Sequence, residues 1–105
     1  MSTMRVEKKI YDKIEALVNA KIHSRSDVQL GKKGVTKGFV EEVKNRLEKH
    51  GVVKVRILKS FIKSSGLDKE IIARNVASVC DAELRDLRGY TFILVKKRFK
   101  NKTTG

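Results

Sequence analysis

Apolar positions along this chain recur at spacings that name its elements in turn. Ile10, Ile14, Leu17 and Val18 follow at intervals of four, three and one, so they share one stripe of a helix running from about Thr3 to Ala20. Lys8, Lys9, Asp12 and Glu15 lie off that stripe. Val28-Gln29-Leu30 alternates apolar and polar and stops at Gly31, which reads as a short strand. Phe39, Val40, Val43 and Leu47 form one face of a second helix, Lys37 to Lys49. Thr36 stands where an N-cap hydroxyl belongs and Gly51 where a helix stops. Val52 to Leu58 is the clearest strand, with Val53, Val55 and Ile57 on one face and the cations Lys54 and Arg56 on the other. Lys59 to Leu67 reads as a loop. Asp68 is placed to cap a third helix, Lys69 to Cys80, with Ile71, Ile72, Val76 and Val79 turned inward. Ala82 to Leu87 and Tyr90 to Val95 are two strands joined by a tight turn at Arg88-Gly89. The order α-β-α-β-α-β-β predicts an α/β fold: a four-stranded mixed sheet with helices on both faces.

At 105 residues the chain suits a single domain, expected over residues 1–98, with 99–105 as a basic tail. Such a domain builds a binding surface more readily than a deep, dry catalytic chamber. Charge changes the picture most. There are 25 Lys and Arg against 12 Asp and Glu, a formal net charge of +13, and a potential of that sign draws polyanions: RNA, DNA or an anionic membrane.

Other chemistries find little support. Cys80 is the only cysteine, so no internal disulfide or cysteine-based zinc cluster is expected, and it reads as a buried, inert thiol. His23 and His50 lack ligand spacing, so neither a metal nor a cofactor is expected. No carboxylate pair or nucleophile–base set stands out, so the reading is a non-enzyme without a small-molecule substrate. The longest late apolar run, Phe92-Ile93-Leu94-Val95, is far short of the ~20 residues that span a bilayer. The first residues hold no apolar signal core, so a cytoplasmic protein without a membrane partner is expected.

The candidate chemistry sits in Leu30-Gly31-Lys32-Lys33-Gly34-Val35-Thr36, between a strand and a helix. Gly31 and Gly34 allow positive φ and close approach of the backbone to a ligand. The loop feeds a helix N-terminus, whose free N–H groups favour anions, and two lysines fill its middle. This combination suits a phosphodiester backbone, as the GXXG loop of KH domains does. It is neither a Walker loop nor a dinucleotide fingerprint, which need other glycine spacings.

The stretch Asp27 to Leu58 resembles the CRM domain (chloroplast RNA splicing and ribosome maturation), which includes bacterial YhbY-like proteins. The matching features are the Gly31 to Thr36 loop after an apolar strand, and the helix ending Leu47-Glu48-Lys49-His50 before Lys54-Val55-Arg56-Ile57. The third is the hairpin Gly89, its apolar strand and Lys96-Lys97. The resemblance spans roughly His23 to Arg98. The chain departs from it at Asp27, where proline is common, and at Tyr90, where a basic residue is common. The resemblance implies a fold similar to the C-terminal domain of translation initiation factor three. It also implies RNA binding in ribosome maturation or in group II intron splicing, and a single domain of this length points to large-subunit maturation or RNA folding.

The expected partner is therefore RNA, structured ribosomal or precursor RNA, bound by a monomer. The expected contacts are Gly31, Lys32, Lys33, Gly34 and Lys37, with Arg25 and Lys21 at the loop's mouth, Lys44 further along the helix, and Lys96, Lys97 and Arg98 at the last strand. Lys54 and Arg56 are structural if the third helix covers their face, and Tyr90 and Phe92 are strand residues more than stacking platforms. The rival reading is a small basic DNA-binding chromatin protein of the Alba-like type.

Overall fold

A computed structural model describes residues 13–97. The start of the first helix, Arg98 and the tail lie outside the described residues. Within them the elements are α1 (residues 13–22), β1 (Val28–Leu30), α2 (Lys37–His50), β2 (Val52–Ile57), α3 (Lys59–Ser65), α4 (Lys69–Val79), β3 (Ala82–Arg88) and β4 (Thr91–Lys96). The expected elements are all present and their ends move by a residue or two. One prediction fails outright: the segment read as a loop is the helix α3, closed by Gly66 at φ 69° with its N–H on the Ile62 carbonyl. Seven residues make a marginal helix, and Phe61 and Ile62 hold it by packing on the core.

The sheet has the order β1-β2-β4-β3. β1 runs parallel to β2, as the α2 crossover requires, and the other two pairings are antiparallel. One face carries the main core, where Val28, Leu30, Val53, Val55, Ile57, Phe92 and Leu94 meet Val43 and Leu47 of α2 and Ile72, Ala73, Val76 and Ala77 of α4. Among the described residues the opposite face is covered by α1, whose Val18 packs with Val52, Ile93 and Val95.

Two details of the expected core change. Ile71 and Val79 are 47% and 53% exposed, because α4 turns the stripe Ile72, Ala73, Val76 and Ala77 to the sheet. Ile71 and Val79 flank that buried stripe. Asp68 occupies the N-cap position of α4, yet its side chain makes no capping bond.

The cationic face of β2 also divides. α1, rather than α4, covers it, and Lys54 is 9% exposed. Its Nζ donates to the carbonyls of Ile22 (3.0 Å) and Ser24 (2.8 Å), where α1 ends. An ammonium there satisfies orphan carbonyls and complements the helix dipole. Asp27 completes the clamp: Oδ2 accepts from the Lys54 N–H at 2.9 Å and Oδ1 from the Lys21 Nζ at 2.8 Å. Proline at position 27 would provide neither contact. Arg56 stays exposed.

Candidate nucleic-acid interface

The parallel pair β1 and β2 ends at Leu30 and Ile57, so the segments that follow, 31–36 and 58–66, leave the sheet side by side. The Leu58 N–H donates to the Leu30 carbonyl at 3.0 Å, which ties the two exits together. The glycine loop closes on itself through Gly34 N–H to Gly31 O at 2.8 Å. Thr36 then caps α2 as expected, its hydroxyl accepting from Phe39 N at 3.1 Å.

The two glycines have different reasons to be there. Gly34 has φ +76°, a left-handed conformation that disfavours a side chain, and a Cβ there would stand 3.1 Å from the Phe61 ring. Gly31 does not take positive φ, contrary to expectation; a Cβ there would sit at an ordinary 3.4 Å from Leu58 Cδ1. Gly31 thus leaves surface open and Gly34 makes the turn. Both neighbours belong to the α3 region, so this short helix and its lead-in residue buttress the loop.

Lys32 and Lys33 are exposed at the tip, and Lys37 is exposed in the first turn of α2. That turn holds no acidic residue. The Val40 N–H is the first to reach an intrahelical acceptor, the Thr36 carbonyl, and Phe39 is capped, so the Lys37 and Gly38 N–H groups are left without a partner in the helix. α3 adds Lys59 and Lys63, both exposed and four residues apart on one helical face. Sequence reasoning missed these two, although a signal was present: neither Val28–Val40 nor Gly51–Leu67 contains an Asp or Glu. The two acid-free stretches are the ones that converge at this end of the sheet.

The other candidate residues do not all join the loop. Lys21 is held by Asp27, so its ammonium is already paired. Arg25 lies on the α1 face of the sheet, in a basin it shares with Arg56 and Lys54. Lys44 lies two turns along α2 from Lys37, about 10 Å at 1.5 Å per residue. It lines a cleft with Glu48, Cys80, Asp81, Lys96 and Lys97. That cleft belongs to the opposite end of the sheet, since β4 carries Lys96 away from the Thr91 end by five residues, about 17 Å. Lys96 pairs there with Glu48 at 3.1 Å and Lys97 with Asp81 at 3.5 Å. Cys80 borders the same cleft; burial raises its thiol pKa, and Lys44 pulls the other way. Phe92 is fully buried, whereas Tyr90 is a turn residue, 49% exposed with the Lys69 ammonium 5.3 Å above its ring. No helix among the described residues is long and apolar enough to cross a membrane.

A protein of Methanocaldococcus jannaschii named "Probable RNA-binding protein MJ0652" is 31% identical over 97 residues, covering 91% of this chain and 70% of its own. The fold resembles the solution structure of SAV1595 from Staphylococcus aureus, with a TM-score of 0.62 and 20% identity over 85% of this chain and 88% of that one. The match does not favour the Alba-like alternative. The CRS1/YhbY (CRM) domain matches residues 6–96, the loop, both acid-free stretches and the hairpin included, and this chain belongs to that family.

Proposed function

We propose that this protein binds structured RNA by its sugar–phosphate backbone, without catalysis, and acts in the folding or maturation of ribosomal precursor RNA of the large subunit. The observation that carries the reading is the end of the sheet where Gly31 to Gly34, the N-terminus of α2 and α3 meet. There a turn at Gly34, two N–H groups without a partner in the helix and the cations Lys32, Lys33, Lys37, Lys59 and Lys63 face solvent with no carboxylate in either contributing stretch. Backbone amides and lysines together recognise phosphate, and their exposure suits a polymer more than an enclosed small molecule. The name of the archaeal relative and the family membership support RNA as the polymer.

Competition between a structured RNA and duplex DNA at fixed salt tests the polymer: RNA is retained and DNA displaced. Crosslinking in cells followed by sequencing tests the biological target. Enrichment of large-subunit ribosomal precursors is the expected result; enrichment of unrelated transcripts would remove the ribosomal assignment.

A further inference from the structure

Among the described residues, the face of the sheet opposite the main core is covered at one end only. α1 lies over Val52, Ile93 and Val95 and stops at residue 22. Beyond it, one residue from each strand forms a polar row: Gln29 pairs with Arg56, Arg56 with Thr91, and Thr91 with Arg88. The linker after α1 borders this row and encloses a basin of about 450 Å³. Three cations line it, Arg25, Lys54 and Arg56, with Gln29, Thr91 and two serines, and neither a carboxylate nor an apolar side chain. Asp27, next in sequence to the lining residue Ser26, is already held by Lys21 and the Lys54 N–H. Lys54 itself is committed to the end of α1. The Arg25 and Arg56 side chains are exposed and have no hydrogen-bond or ion-pair partner among the described residues.

We infer that this basin is a second backbone-binding surface, and that RNA held at the glycine loop continues round the β1 edge of the sheet onto Arg25 and Arg56. The inference rests on the RNA reading above and extends its footprint to the other face of the sheet. Gln29 is two residues before Gly31 and Arg56 three before Lys59, so the same two strands deliver both surfaces to one end of the molecule. β1 is only three residues long and lies at the edge of the sheet, which leaves a short path between them. Guanidinium groups suit phosphate oxygens, and the neutral amide and hydroxyl groups suit sugar hydroxyls. A lining without apolar side chains excludes an apolar partner.

The test uses the full chain with Arg25→Gln and Arg56→Gln, singly and together; glutamine keeps a polar stem on these exposed sites, and melting curves report folding. The probes are a labelled RNA hairpin and a tetranucleotide, which is the length a GXXG loop clamps. Hairpin affinity is expected to fall roughly fivefold per arginine, and the log–log salt slope to become shallower by about one for each. Tetranucleotide affinity is expected to stay at the wild-type value. A folded double variant with unchanged hairpin affinity overturns the inference, as does an equal loss for both probes. Loss of binding to phosphatidylserine vesicles with RNA affinity intact would make the basin a headgroup surface and also overturn it. A wild-type chain that binds neither RNA probe defeats the RNA reading itself, a result distinct from any difference between variant and wild type.

Discussion

Gly34 and the two lysines before it make separable contributions. Any L-residue at φ +76° costs about 1–2 kcal/mol, and a Cβ 3.1 Å from Phe61 adds to that. Gly34→Asp is therefore expected to lower both the melting temperature and RNA affinity, since it also sets a negative charge beside the phosphate path. Lys32→Ala with Lys33→Ala leaves the turn untouched. Its melting temperature should match the wild type, while affinity falls by on the order of 1 kcal/mol per lost contact across most RNA sequences. Parallel melting and titration of the two variants checks this, and a folded double-lysine variant with full affinity would take the loop out of the mechanism. Lys54 is a charged residue of the opposite kind, structural despite its sign. Lys54→Met keeps the stem and removes the ammonium from the Ile22 and Ser24 carbonyls. A loss of roughly 2 kcal/mol is expected, or about 8–16 °C in melting temperature, larger than for Arg56 on the same strand face.

At the scale of elements, α3 decides how well the loop is shaped. It has no fully buried residue, so its own stability is low, yet Phe61 stands against Gly34 and Leu58 against Gly31. Phe61→Ala should loosen the loop without dismantling the sheet. The expected outcome is a severalfold loss of RNA affinity, faster hydrogen exchange at the Gly34 amide, and unchanged protection of β2 and β4 amides. Equal loss of protection everywhere would make Phe61 a general core residue. α3 escaped the sequence reading because its apolar pair, Phe61 and Ile62, is adjacent and shows no period; a seven-residue helix is stabilised by what it packs on. α4 was recognised with Ile72 and Val76 inward, but Ile71 and Val79 are exposed and the smaller Ala73 and Ala77, which hydrophobicity alone ranks lower, are buried in their stead.

Across the described residues the charge is polarised in a way its total conceals. The loop end has cations with few acids near them, whereas Lys96 and Lys97 at the far end are answered by Glu48 and Asp81. Binding should accordingly be electrostatic and weakly selective for sequence. With roughly five phosphates neutralised, the log–log salt slope for single-stranded RNA is expected near −3 to −4. Titrations from low to moderate salt measure it, and an affinity that hardly changes would contradict the account. Lys96→Ala with Lys97→Ala should change affinity less than Lys32→Ala with Lys33→Ala, since one pair is already compensated and the other is not.

The sequence by itself determined the sheet, three of the helices, the Thr36 cap, the loop and the family resemblance, because each rests on local spacing: period two, period near four, or a glycine at a fixed offset. Tertiary structure alone decided which cations share a surface. Lys21 is paired with Asp27, Lys54 is drawn to the end of α1, Lys44, Lys96 and Lys97 go to the opposite end of the sheet, and Arg25 in the linker after α1 shares a basin with Arg56 of β2. A charged side chain carries no periodic signature of its partner. Its role depends on which carbonyl, carboxylate or open face the fold brings beside it from about 30 residues away, as Ser24 and Ile22 come to Lys54.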